Sequence, residues 1–254
     1  MSIALRQQLT QRKTRPETSF GPFRPFPALP WLIMAAALRI VAYGKGAALA
    51  LPAIMLADIS VLLAFFATAL RSIQAAGGQS SLGDLSLAEQ MRLSLSILWR
   101  ILLVMAVASL TAAAVGFTAF APNLMAGLDG MAFDQFTHGG RYWSAAIAAL
   151  VLMIIVNSEA NDGRVDLSAA VKDLARHGFW LTVAIVALGT VNIALGIGQG
   201  LVRDAIWQFW QTSPVSEPVK SVVYFTFIFG FAMLRLWITL SILTFGLKQS
   251  YAGR

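Results

Sequence analysis

Only a few side chains in this sequence are placed where they could do chemistry, because most of the chain is long apolar runs. Asp58 stands inside the run 47–70, and Arg39, Arg100 and Arg235 stand inside three others. A charge near the middle of a bilayer is unfavourable by at least about 2.5 kcal/mol on insertion scales, so each must face protein or water and find a partner. The spacing puts Asp58 and Arg235 at similar depths, about 18 and about 16 Å from the same end of their runs, and predicts their pairing, with Arg39 as the second candidate. Arg100, about one turn inside its run, can snorkel to the headgroups. The remaining positive charge favours an anion or a lipid headgroup wherever a guanidinium borders water.

Two roles fit this set. As a structural tie, an Asp58–Arg235 pair fixes which helices are neighbours. As a substrate site, Asp58 has Pro52 and Gly44-Lys45-Gly46 on one side to loosen the backbone, as in the interrupted helices of transporters. Asn157 and Asn192 suit either role.

Other chemistry finds little support. The chain has no cysteine and two histidines, which removes thiolate sites and leaves little for a metal. Asp134 and His138, four apart, could share a helix face, but no further histidine or cysteine completes a metal site. Gly196-Ile-Gly-Gln-Gly lacks the preceding strand and the glycine spacing of a dinucleotide loop, so Gly196 and Gly200 are expected to serve close helix packing. There are no paired carboxylates and no nucleophile or phosphate-loop motif. No catalytic residue, metal or cofactor is expected.

The elements that position these residues follow from composition. Hydrophobic residues make up 57% of the 254 and charged residues 12%, with a mean hydropathy of +0.70, too apolar for one water-soluble core. The expected fold is an all-α polytopic membrane bundle with six transmembrane helices at 28–43, 47–70, 95–121, 144–156, 178–201 and 221–246. Residues 1–27 form a basic cytoplasmic segment in which Phe20, Phe23 and Phe26 would line one edge of a polyproline helix. Residues 28–247 form the membrane domain and 248–254 a cytoplasmic tail. The first apolar run comes late, contains Arg39 and lacks a small-residue cleavage site, which argues against a signal peptide.

Charge placement gives the orientation. With both termini in the cytoplasm, only Lys45, Arg141, Arg203 and Lys220 of the 19 Lys and Arg fall in outer segments and Arg39, Arg100 and Arg235 in spans, as the positive-inside rule requires. The net charge of +7 then reports topology and anionic headgroups, and no nucleic-acid partner is expected.

Two cytoplasmic segments look amphipathic. Ser86-Leu-Ala-Glu89 has capping-box spacing, with Leu87, Met91, Leu95 and Leu98 on one face. Leu167, Val171 and Leu174 mark the second. Asp84-Leu-Ser-x-Ala88 and Asp166-Leu-Ser-x-Ala170 match, and a tryptophan follows each, Trp99 and Trp180, which reads as a parallel internal duplication. Ala108, Ala112 and Gly116 form a small-residue row suited to helix packing.

The sequence 152–157, its acidic turn, Asp166-Leu-Ser-Ala-Ala-Val-Lys-Asp-Leu and Phe179-Trp180 resemble the six-helix bacterial membrane domains found alone or fused to glycerophosphodiester phosphodiesterases. The likeness covers roughly 64–194 and implies a fold in a bacterial inner membrane. The hydrolase of such fusions has no counterpart here, so no activity carries over. The expected role is a non-enzymatic scaffold or accessory subunit that contacts lipid, another membrane protein or further copies of itself. The alternative is a small transporter or permease component built around Asp58.

Overall fold

Helix ends in this chain are set by identifiable local chemistry. In the computed structural model, which describes residues 28–43, 50–75, 85–125, 127–128, 131, 138–160 and 164–252, all regular structure is helical. The expectations placed on 1–27, on Gly44-Lys45-Gly46, on Asp84 and on Asp134 lie outside these residues. The helices are α1 (Leu29–Tyr43), α2 (Ala50–Ala75), α3 (Leu87–Ala114), α4 (Ala121–Met125), α5 (His138–Ala160), α6 (Leu167–Arg176), α7 (Gly178–Thr212) and α8 (Glu217–Ala252). Among the described residues five helices are long and apolar enough to cross a membrane: α2, α3, α5, α7 and α8; α1 is shorter, at 15 residues.

Ser86 opens α3 with the capping box read from sequence: its N–H donates to Glu89 Oε2 at 2.8 Å, and Glu89 N–H donates back to Ser86 Oγ at 3.4 Å. The helix then runs without a break to Ala114, so the amphipathic turns and the span are one element. It stops at Gly116, whose φ of +94° only glycine adopts without strain. Gly116 N–H donates to Ala113 O at 3.1 Å and Phe117 N–H to Ala112 O at 2.8 Å, a full Schellman closure. Gly116 therefore lies past the helix and does not continue the face of Ala108 and Ala112.

Pro52 falls in the first turn of α2, where its missing N–H removes no intrahelical bond, so the backbone at Asp58 is continuous helix. The segment expected as an outer loop, 203–220, is helical except for 213–216. The proposed duplication diverges at its caps: Ser86 caps α3, but its counterpart Ser168 lies inside α6, which Asp166 caps.

Two helices form the centre. Residues 59–66 of α2 and 147–155 of α5 are buried on every side. The surrounding helices bury one stripe each. On α3, Leu93, Ile97, Ile101 and Met105 face protein, while Leu87, Met91, Leu95, Trp99, Leu103 and Val107 face outward. Leu87, Met91 and Leu95 thus share a face as expected, but Leu98 is on the packed side. α1 packs along α2, α7 along α5, and α8 returns against α7, α1 and α2. Short ties close the loops: Ser109 Oγ donates to Ala121 O at 2.9 Å and Trp143 Nε1 to Leu124 O at 2.7 Å, holding α4 against α3 and α5.

The Asp166 carboxylate accepts from the N–H groups of Ser168 at 2.9 Å and Ala169 at 3.1 Å. The bond from Ala169 first, then Ser168 and the charge of Lys172, hold this carboxyl below the usual aspartate range. A depressed folded value contributes stability that is present above the unfolded pKa and lost as pH falls through the folded one. Hydrogen-exchange protection at Ser168 and Ala169 should therefore fall as the solution is acidified through that carboxyl's range. Asp166→Asn, which still caps, should keep the protection and lose its acid dependence; the same acid dependence in that variant would assign it to another group.

Candidate functional site

The polar groups inside the apolar helices collect into interhelical ties. Arg39 of α1 pairs with Asp58 of α2, Nη2 to Oδ1 at 3.6 Å, with both side chains 16% exposed. Helical side chains lean toward their own N-terminus, so in an antiparallel pair Arg39 and Asp58 lean toward each other's level. The sequence ranks Arg235 first as partner for Asp58, because hydropathy gives depth along an axis and not which helices are adjacent. Arg39, the second candidate from sequence, is the partner in this pair and lies on the helix immediately preceding α2.

Arg235, 3% exposed, donates from Nη2 to Gln199 Oε1 of α7 at 3.0 Å. Arg100 donates from Nη1 to Ser96 O at 2.9 Å and to Ser96 Oγ, one turn back along α3. It runs toward the capped end of its helix, as snorkelling requires.

Arg141 is the residue that sequence reasoning misplaces. Its surroundings read as outer loop, but α5 begins at His138, and the guanidinium reaches α7, where Nη1 donates to Asn192 O and Ile193 O, each at 2.9 Å. Gly196 makes room: a Cβ there would collide with Nη1, Nη2 and Cζ of Arg141. Two turns back along α7, Gly189 makes room for the Tyr142 ring in the same way, and the Tyr142 hydroxyl is 3.3 Å from Thr190 Oγ1. Gly189, Asn192, Gly196 and Gln199, spaced three, four and three apart, form one face of α7 that receives Tyr142 and Arg141 from α5 and Arg235 from α8. That spacing was the available signal. Gly196 thus seats a guanidinium and not a helix backbone, and Gly200 has open space around it.

At the other end, Asn157 Nδ2 donates to Asp173 Oδ2 at 3.3 Å, which ties α5 to α6, and Arg176 lies 3.6 Å from Asp173 Oδ1. Ser144, Ser158, Thr239, Ser241, Thr244 and the Asn192 side-chain oxygen are buried with no hydrogen-bond partner among the described residues. Among those residues no group of three His, Cys, Asp or Glu could hold a metal.

Apolar helices held by such ties define a membrane-embedded helical bundle. No family model, curated protein or solved structure matches the chain. The likeness to the domains fused to phosphodiesterases therefore carries no argument beyond its sequence pattern.

Two outcomes follow from this geometry. Removing one member of the mostly enclosed Arg39–Asp58 pair, by Arg39→Gln or Asp58→Asn, should destabilise the bundle by about 3–5 kcal/mol. The double variant should lose less than the sum, read by unfolding in detergent; simple additivity would mean that the two groups do not act as a pair.

Gly196→Ala should displace the Arg141 guanidinium and lose its carbonyl bonds, about 1.5–3 kcal/mol, against a gain of about 1 kcal/mol in helix propensity. In an Arg141→Gln background the same change should become stabilising. An unchanged sign in both backgrounds would dissociate Gly196 from Arg141.

Proposed function

We propose that the protein is a non-enzymatic integral membrane scaffold or accessory subunit, with lipid and another membrane protein or further copies of itself as its partners. The observation that carries this reading is the use made of the intramembrane charges. Arg39, Asp58, Arg141 and Arg235 each reach across to a neighbouring helix, and the backbone beside Asp58 is unbroken. Charges spent on holding helices together suit a fixed frame better than a moving carrier.

In this reading the frame sits in a bacterial inner membrane with six crossings and both termini cytoplasmic. The sixth crossing is α1. At 15 residues it is about 22 Å long, less than a hydrocarbon core of about 30 Å, so its tie to α2 through Arg39 and local thinning of the bilayer support its insertion. The first turns of α3 and the short α6, capped by Ser86 and Asp166, then lie at the cytoplasmic headgroups, where Arg92, Lys172 and Arg176 meet anionic lipid.

A second reading, a small carrier, draws on the buried hydroxyls of Ser144, Ser158, Thr239 and Thr244 and on the Asn192 oxygen, which a water-filled route would satisfy. Because the chain has no cysteine, one substitution separates the two. Thr239, 1% exposed, replaced by cysteine should stay unreactive toward a membrane-impermeant maleimide applied from either side if the bundle is a fixed frame. Prompt labelling would show water reaching the centre and would replace the scaffold with the carrier.

A further inference from the structure

Arg100 differs from the other arginines of the apolar helices in reaching no neighbouring helix. It donates from Nη1 to the Ser96 carbonyl and hydroxyl of its own preceding turn, and among the described residues it has no other hydrogen bond or ion pair. A guanidinium stays charged and carries five N–H groups, so Nε and Nη2 are left as donors. The Ser96 hydroxyl accepts from Arg100 and keeps its own proton to donate.

These groups border the uncovered side of α3. Arg92, Ser96, Trp99, Leu103, Val107 and Leu110 follow one another at four, three, four, four and three residues, which makes one helical stripe. Leu93, Ile97, Ile101 and Met105 on the other side pack against the bundle. From Trp99 to Leu110 the four apolar side chains of the outer stripe are each more than half exposed.

Length fixes where the bilayer boundary falls on this stripe. Gly116 ends the helix, and a hydrocarbon core of about 30 Å measured back from it reaches Ser96 at about 1.5 Å per residue. Leu103, Val107 and Leu110 then meet acyl chains, and Trp99 lies at the boundary as interfacial aromatics do. Arg100, about 6 Å inside, reaches the boundary by running back to Ser96, and Arg92 stands about 12 Å beyond it toward water. Charge here has a net sign. α3 carries Arg92 and Arg100 against a single acid, Glu89, whose Oε2 is turned to the cap and accepts from the Ser86 N–H at 2.8 Å and the Ser86 hydroxyl at 2.7 Å.

We propose that α3 binds one anionic glycerophospholipid along this stripe, its phosphate on the Arg100 guanidinium and the Ser96 hydroxyl and an acyl chain against Leu103, Val107 and Leu110. The proposal deepens the scaffold reading, on which it rests, by naming the lipid. A phosphate offers the guanidinium fork the paired oxygens that no described residue supplies. Arg92 selects the headgroup: a choline extending from the phosphate toward water would bring a positive charge to Arg92, whereas a glycerol brings hydroxyls. A free phosphate ion would have to shed its water to reach Arg100 and would gain nothing from the apolar stripe, while a lipid already holds its phosphate at this level.

The chain purified in mild detergent and given equimolar phosphatidylglycerol and phosphatidylcholine should retain one phosphatidylglycerol in native mass spectrometry, with about tenfold preference, as one charge-assisted contact supplies. Arg100→Gln should abolish the preference, and since Arg100 bonds only within its own helix this variant should still fold. Arg100→Lys keeps the charge but not the planar fork, so its preference should be several-fold weaker than wild type. Arg176→Gln, which removes an exposed cation from α6, should change nothing. No preference in the wild type, an undiminished one in Arg100→Gln, or an equal loss in Arg176→Gln overturns the site, the last by reducing it to diffuse surface charge. Release of the lipid by millimolar inorganic phosphate also overturns it, by assigning the guanidinium to a free anion. Maleimide labelling of Thr239→Cys decides the scaffold reading separately. A chain that labels and holds the lipid is a carrier with a lipid site, and one that stays unlabelled without the preference is a scaffold whose lipid contacts are unselective.

Discussion

A guanidinium cannot be neutralised in hydrocarbon, and this one constraint shapes the bundle more than any apolar contact does. Leucine gains little by leaving lipid for protein, so apolar side chains do not by themselves choose a neighbour. An arginine does choose, because only certain positions offer it an oxygen. Arg39 takes a carboxylate, Arg235 a side-chain amide, Arg141 two main-chain carbonyls and Arg100 its own preceding turn. The first three join α1 to α2, α8 to α7 and α5 to α7, and those are among the closely packed pairs of the structure.

Local signals in the sequence were legible, and spatial ones were not. Existence and type of the long helices follow from apolar length, and the α3 cap follows from Ser86 and Glu89 at fixed spacing, because both signals are local. Arg39 beside Asp58 was legible only as one of two candidates, since residues at similar depth are equivalent until adjacency is known. Arg141 escapes for a different reason. Gly139 and Gly140 beside it read as loop, yet the helix tolerates them because Gly139 lies against the Phe120 ring, where a Cβ would clash. Gly116, read as a packing residue, ends its helix instead, since a small-residue row and a Schellman glycine look alike in one dimension.

Hydropathy is also silent about which side of an apolar helix meets protein. The outward stripe of α3, from Leu87 through Trp99 to Val107, is no less apolar than the inward stripe from Leu93 to Met105. In water the first would be driven inward; in lipid acyl chains solvate it as well as protein would, and the fit to neighbouring helices decides which stripe packs. The hydroxyls divide in the same way. Ser60, Thr68, Thr111 and Thr190 return their protons to the carbonyl one turn back, a local solution that needs no neighbour. Thr239, Ser241 and Thr244 on α8 do not, which makes that stretch the least self-satisfied part of the core.

The ties also differ in what they connect. Arg235–Gln199 and Trp210–Tyr224 lie within the α7–α8 hairpin and make it one body, whereas Arg141 joins that body to α5. Beyond Asn192 no residue of α7 is buried, whereas α8 still buries Ala232, Met233, Arg235 and Leu236, and Gly198, Gly200 and Gly230 have open space around them. Glycine lowers helix stability, so Gly196, Gly198 and Gly200 make the stretch of α7 directly beyond the Arg141 bond its weakest. The Arg235–Gln199 bond falls between Gly198 and Gly200, so the stretch of α7 with the lowest helix propensity is the one that a buried guanidinium pins to α8.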